Sequence, residues 1–226
     1  NGNYVYDIDI QGKGDSDLMF NVFEERNNTS YEQTTNALSA IFDVELRFND
    51  RFKATSQVGM QLDAVSKESI ADHDTYAMRK DKEFTTIASL GNKSFLPDGG
   101  KHTEAANTNS QINWKTQAEY RDSYNDIHEF EMMAGTEIRK TWYNSLNSTG
   151  YGFDRKTLTT KPVIFPNESW ARSYPLHTKN YVENAYASFF STASYSLLQR
   201  YTVGGSVRFD GSDIFGVSKK YRFLPL

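Results

Sequence analysis

The sequence predicts an all-β chain of antiparallel, up-and-down strands. Three observations predict it. Apolar and polar residues alternate with a period of two in six separate runs, the pattern of strands with two unlike faces. The runs pair off across short polar turns, while long polar stretches separate the pairs. No stretch approaches eighteen consecutive apolar residues, which excludes a transmembrane helix. Yet aromatic residues make up 14% of a chain that is only 38% hydrophobic.

Taken in order, residues 1–35 carry the weakest pattern, and within them only Leu18-Met19-Phe20-Asn21-Val22-Phe23 reads as a strand, entering the first hairpin. Residues 36–48 alternate Leu38, Ala40, Phe42, Val44, Leu46 and Phe48 with Ser39, Asp43, Glu45 and Arg47. Residues 51–62 repeat this, with Phe52, Ala54, Val58, Met60 and Leu62 on one face and Arg51, Lys53, Thr55, Gln57 and Gln61 on the other. Asn49 and Asp50 between them suit a tight turn, since both types tolerate positive φ. A second pair follows. Ile112, Trp114, Ala118 and Tyr120 alternate with polar residues in 111–121, and Phe130, Met132, Ala134 and Ile138 do so in 128–139. Its turn is predicted at Asp122-Ser123-Tyr124-Asn125-Asp126. In the third pair, Ala185, Ala187, Phe189, Ala193 and Tyr195 precede a turn at 196–199, and Tyr201, Val203, Val207 and Phe209 follow it. The connections 63–110 and 140–183 are read as long loops, several-fold longer than the usual connection of about 4–6 residues. Gly/Pro/Asn punctuation such as Pro97-Asp98-Gly99-Gly100 marks them.

Composition narrows the class. Twenty-five basic and twenty-nine acidic residues give a net charge of −4, which argues against a nucleic-acid binder. With no Cys, disulfides and thiolate metal sites are impossible. A soluble β-sandwich also alternates, with its polar face in water. The apolar faces here are broad and aromatic, and Phe48, Phe52, Tyr120, Tyr195 and Tyr201 flank the tight turns like the girdle of a membrane barrel. Short turns at one end and long loops at the other repeat the asymmetry of outer-membrane barrels. Runs of about 9–11 residues match a crossing of the hydrocarbon. Six strands close no such barrel. The chain, which opens on Asn1 and stops at Leu226, therefore reads as a piece of a longer polypeptide.

The C-terminal residues carry a family resemblance. Glu183 to Phe190, Ala193-Ser194-Tyr195-Ser196, Arg200-Tyr201, Ser206 to Ser212 and Phe215-Gly216 resemble the barrel signature of SusC/RagA TonB-linked outer-membrane proteins. That signature has a Tyr-Ser-Tyr-x-x-Arg-Tyr turn and a strand ending in Arg-x-Asp-Gly-Ser-x-x-Phe-Gly. Leu197 replaces the second Tyr here. Tyr221-Arg222-Phe223-Leu224-Pro225 is similar to the family's return strand, and His128-Glu129-Phe130 to Ala134-Gly135-Thr136-Glu137 to its His-x-(apolar) to Gly-x-Glu strand. The resemblance implies that residues 1–226 are part of a TonB-dependent receptor barrel domain: antiparallel strands of a transmembrane outer-membrane β-barrel of about twenty-two strands with long extracellular loops. No plug domain and no TonB-box segment occur within these residues. The resemblance further implies the outer membrane of a Gram-negative bacterium, a SusD-like surface lipoprotein as lid, TonB acting through an N-terminal part, and import of oligosaccharides or peptides.

Enzyme chemistry has no foothold. His73, His102, His128 and His177 are dispersed and form no His-Glu-x-x-His. Asp72-His73-Asp74 reads as a solvated loop triplet, and Asp210-Gly211-Ser212-Asp213 as a strand-end turn. No catalytic residue, cofactor or metal site is expected. By alternation, Asp43, Glu45, Arg47, Lys53, Lys115, Glu119, Arg121, Glu131 and Arg208 would face a water-filled lumen. Aromatic faces stack on sugar rings, so the aromatics of 140–183 (Trp142, Tyr143, Trp170 and Tyr174) are the candidates for substrate contact. The competing reading is a soluble all-β glycan-binding module of a secreted protein. It explains the aromatics and the acidity equally well, but it requires apolar faces that bury each other.

Overall fold

The computed structural model describes residues 7–9, 18–212 and 222–225. Its elements run β1 (Asp7–Asp9), β2 (Leu18–Phe20), α1 (Val22–Asn28), β3 (Thr29–Arg47), β4 (Phe52–Ala71), α2 (Tyr76–Phe84), β5 (Thr86–Ile87), a 3-10 turn (Ala88–Leu90), β6 (Lys93–Ser94), β7 (Gly100–Tyr124), β8 (His128–Phe153), α3 (Glu168–Ser173), β9 (His177–Leu197), β10 (Tyr201–Ser212) and β11 (Arg222–Pro225). One seven-stranded sheet has the order β11-β10-β9-β8-β7-β4-β3, and β1-β2 and β5-β6 form small ribbons. Along the large sheet, chain order is spatial order, as an up-and-down meander requires. The return strand is present: β11 pairs antiparallel with β10, Asp210 opposite Leu224. No helix among the described residues is long and apolar enough to cross a membrane.

The six expected strands all form, and all but β10 run well past their alternating runs. β8 has 26 residues and β7 has 25. The stretches 63–110 and 140–183 are therefore not loops throughout; the irregular parts are 72–99 and 154–176. Some extensions, such as Gly100 to Ser110, are largely polar on both faces, whereas that of β8 ends in the buried Tyr151 and Phe153. All stay extended because the backbone ladder to neighbouring strands holds them, whether or not their faces alternate. Asp210, Gly211 and Ser212 likewise lie within β10 instead of forming a turn; Asp213, Phe215 and Gly216 are outside the described residues. The stretch 18–23 divides. Leu18–Phe20 pairs with β1. Val22 and Phe23 begin α1, because the Asn21 side chain accepts from the backbone N–H of Phe23 and Glu24.

The three tight turns use two solutions. In the first, the Asn49 Oδ1 accepts from the N–H of Arg51 at 2.9 Å and of Phe52 at 2.8 Å, an Asx turn that needs no positive φ. In the second, Asn125 and Asp126 both have φ 54° and the Ile127 N–H donates to the Tyr124 carbonyl. In the third, Leu198 (φ 54°) and Gln199 (φ 53°) take that conformation, and the Arg200 N–H donates to Leu197 at 3.0 Å. These are type I′ geometries, whose twist matches that of the flanking strands.

The chain divides into two compact units. The first comprises 1–35, 65–107 and 145–180. It contains every buried apolar side chain among the described residues: Met78, Phe95, Leu96, Tyr151 and Phe153. Val163, Phe165, Trp170, Tyr174 and Leu176 pack against them. Gly99 (φ 137°) lies against the backbone of Gly152, where a Cβ would come within 2.5 Å of the Gly152 carbonyl carbon. Arg155 clamps Asp72 at 2.8 Å.

The second unit comprises 36–64, 108–144 and 181–226. It is sheet, and its register separates two faces. Phe209 stands opposite Phe189 and Val203 opposite Tyr195, while Arg208 opposes Phe190 and Asp210 opposes Ser188. The apolar face is exposed: Phe42 is 63% accessible, Trp114 51% and Val203 68%.

Candidate functional site

The polar face of the second unit gathers most of the charges that alternation assigns to it. The Lys53 Nζ lies 3.1 Å from Glu119 and 3.7 Å from Glu45, and the Arg47 Nε lies 2.7 Å from Glu45. Arg121 pairs with Glu131 at 2.6 Å, and the Gln57 amide donates to Asp43 at 2.7 Å. Neighbouring strands thus present opposite charges to each other, as cross-strand pairing favours. Each pair is open to solvent and worth only about 0–1 kcal/mol. The ladder sets the polarity of the face more than its stability.

Farther along the same face, Arg208 reaches Asp210 with its Nε at 2.8 and 3.0 Å, and its Nη2 donates to the Ser188 Oγ at 3.1 Å. Ser188 in turn donates to Asp210. Glu137, 3.7 Å from Arg208, extends the network. These groups line a cavity of about 290 Å³, together with Arg139 and Tyr186. The Arg139 guanidinium lies over the Tyr186 ring at 4.6 Å. Beside it, the Phe190 ring covers Gly135, where an added Cβ would come within 2.5 Å of the ring. Lys115 (5.4 Å) and Arg208 (6.0 Å) flank that ring. The hydroxyl of Ser188 faces a carboxylate and no imidazole base. The arrangement suits contact with polar, hydrogen-bonding solutes and not nucleophilic catalysis.

The four candidate aromatics do not converge. Trp170, on α3, and Tyr174, just beyond it, meet in the first unit at 6.1 Å. Both pack on Phe95, at 5.2 and 5.8 Å, and lie half-buried against that core. Trp142 and Tyr143 are strand residues of β8, not loop residues, because the ladder continues past Ile138. Trp142 has the parity of Phe130, Met132 and Ile138 and so lies at the margin of the apolar face. The Lys140 Nζ lies 5.1 Å over its ring, and Lys140 pairs with Glu183, which also accepts from the Tyr181 hydroxyl at 2.8 Å. Tyr143 has instead the parity of Glu137 and Arg139 and so belongs to the polar face, where Tyr186 and Phe190 join it. Their signal in the sequence is their parity, opposite to that of Ala187 and Phe189.

In the first unit, burial pushes the Tyr151 phenol up to about 12, and burial raises Tyr174 as well. The Lys82 ammonium, hydrogen-bonded to Asp98, holds that carboxyl below its usual range. Asp72 is engaged by Arg155, and His73 stands 3.0 Å from Asp74, so the triplet 72–74 stays a loop feature.

Comparison with known proteins agrees with the sequence signature. No family model matches the chain. It is 23% identical over 233 residues to TonB-dependent receptor P26 of Formosa agariphila, a match covering 99% of this chain and 22% of that protein. Solved structures of similar fold include the following two. One is the RagAB peptide transporter, with a TM-score of 0.67, 18% identity and coverage of 87% of this chain and 20% of that one. The other is the RagAB peptide importer in its open-open state, with a TM-score of 0.68, 17% identity and coverage of 88% and 20%. The chain thus spans about a fifth of the length of the relatives it matches.

Proposed function

We propose that this chain is a stretch of the barrel wall of a SusC/RagA-type TonB-dependent transporter in the outer membrane of a Gram-negative bacterium. One observation carries the reading: the second unit exposes a broad apolar face and keeps most of its charges on the other, with the Lys140–Glu183 pair at the apolar margin. A half-exposed Phe or Leu forgoes on the order of 1 kcal/mol of burial. Summed over Leu38, Phe42, Val44, Leu46, Trp114, Phe130, Val203 and their neighbours, the loss rivals the ~5–15 kcal/mol net stability of a domain. Lipid removes that cost. A soluble glycan-binding module would bury this face against a second layer, and nothing among the described residues does so.

In this reading the two open edges, β3 and β11, continue into further strands of a closed barrel of about twenty-two. The charge ladder and the 290 Å³ cavity line a wet lumen. TonB acts through the missing N-terminal part, and a SusD-like lipoprotein covers the outer opening. The cargo is an oligosaccharide or a peptide, and the chain performs no covalent chemistry. The structural neighbour RagAB is a peptide transporter, which supports the second cargo.

The test is partition of the complete native protein. Outer membranes are isolated and intact cells are probed with an antibody to 154–176. Retention in the detergent-soluble membrane fraction with surface labelling is expected. Release as a soluble, monomeric protein without a surface signal would overturn the barrel and restore the secreted-module reading.

A further inference from the structure

We infer that Glu68, His102 and Glu104 form a binding site for a divalent first-row metal ion, with zinc the best fit. The inference is independent of the transport reading. Glu68 stands near the end of β4 and His102 and Glu104 near the start of β7, which is its neighbour in the sheet. One ligand atom from each lies within 4.8 Å of the other two. Atoms around a single zinc ion stand roughly 3.3 Å apart, given metal–ligand bonds of about 2.0–2.2 Å. Small rotations of two glutamates close that difference.

Three features separate this group from an ordinary surface cluster. The imidazole is held in place: its ring stacks on Phe153 at 4.7 Å and 24°, and its Nε2 points at Glu68 Oε1 at 2.8 Å. Its side chain is only 19% exposed. The two carboxylates also lack a compensating cation, because among the described residues no Lys or Arg pairs with either. Lys101, next to His102, turns instead to Asp81 at 3.3 Å and to the Tyr151 ring, and Lys67, next to Glu68 on β4, has the opposite strand parity. A mixed imidazole–carboxylate set with two negative charges favours zinc or a similar borderline ion over Ca²⁺ or Mg²⁺, which take oxygen ligands. Three protein ligands leave the fourth position to water.

The location gives the site a role. The irregular stretch 72–99 leaves from the end of β4 and returns at the start of β7. A metal joining Glu68 to His102 and Glu104 therefore pins the base of that excursion, with α2 and the β5-β6 ribbon inside it.

The experiment uses the complete protein in detergent, stripped with EDTA and titrated with Zn²⁺ by calorimetry, beside His102→Ala and Glu104→Gln. The wild type is expected to take up one equivalent that both variants weaken by about tenfold or more. Zinc should also slow tryptic cleavage at Arg79, Lys80 and Lys82 in the wild type and not in the variants. Circular dichroism shows whether the variants are folded, and zinc-edge X-ray absorption of the wild type reads an imidazole ligand without any variant. Identical zinc isotherms in all three proteins would overturn the site. Uptake of Ca²⁺ in place of Zn²⁺, unchanged by His102→Ala, would overturn it too, because the imidazole would then not be a ligand.

Discussion

Gly135 shows how much a single residue can decide on a strand face. The Phe190 ring occupies the space where its side chain would be, and the Thr116 carbonyl oxygen closes the other side at 2.7 Å from an added Cβ. A glycine weakens a strand unless something packs on it, and here a ring does. Gly135→Ala is expected to destabilise the protein by about 1–3 kcal/mol through overpacking. Adding Phe190→Ala should recover only part, since the Thr116 carbonyl is backbone and cannot withdraw. Denaturant midpoints in detergent measure both. A neutral Gly135→Ala would show that the ring does not rest there. Phe190 was hidden in the sequence by its neighbour: in the doublet Phe189-Phe190, alternation explains the first and passes over the second.

Elements were legible in proportion to the contrast between their faces. Phe42 beside Asp43 and Val44 beside Glu45 mark β3 plainly, whereas Lys101, His102, Thr103 and Glu104 mark nothing, although β7 runs through them. The helices were invisible for a different reason. α2 spans nine residues and buries only Met78, so its identity rests on the Thr75 cap and on tertiary packing. The polar-face charges were readable because period two fixes a face. The grouping of Trp170 with Phe95, far away in sequence, was not.

That aromatic core carries a pH prediction. Tyr151 and Tyr174 are raised by burial above the ordinary tyrosine value of about 10. Folding is therefore favoured in full below about pH 10 and loses that contribution as the pH climbs toward the folded values, about 12 for Tyr151. Absorbance at 295 nm should show two tyrosines ionising only together with loss of near-UV circular dichroism. Titration of all tyrosines near 10 with the spectrum intact would contradict the buried core.

At the scale of the whole molecule, the proposed barrel would set the two faces of the second unit in different solvents. Phe42→Arg places a charge on the apolar face, where at mid-bilayer it costs about 2–4 kcal/mol. Lys53→Gln on the other face removes a solvated charge and should change stability by less than about 1 kcal/mol. Yield of folded, heat-modifiable protein in outer membranes should fall sharply for the first and hold for the second. If lipid does not cover the face, Phe42 is simply an exposed surface residue and its replacement should cost about 0.5 kcal/mol or less.

The meander has one more consequence, and it concerns assembly. Each strand of the large sheet from β4 to β10 lies between its predecessor and its successor along the chain, and only excursions interrupt the order. Every pairing inside this stretch is therefore with the next large-sheet strand along the chain, local within the tight hairpins and joining residues about 70 apart across the excursions, as Arg51 and Arg121 do. In the proposed barrel, the edges β3 and β11 alone would take strands from elsewhere. A nick in 154–176 would leave two pieces, each a run of consecutive hairpins with one new edge. Those edges match only each other, so the wall could be rebuilt from separately made parts.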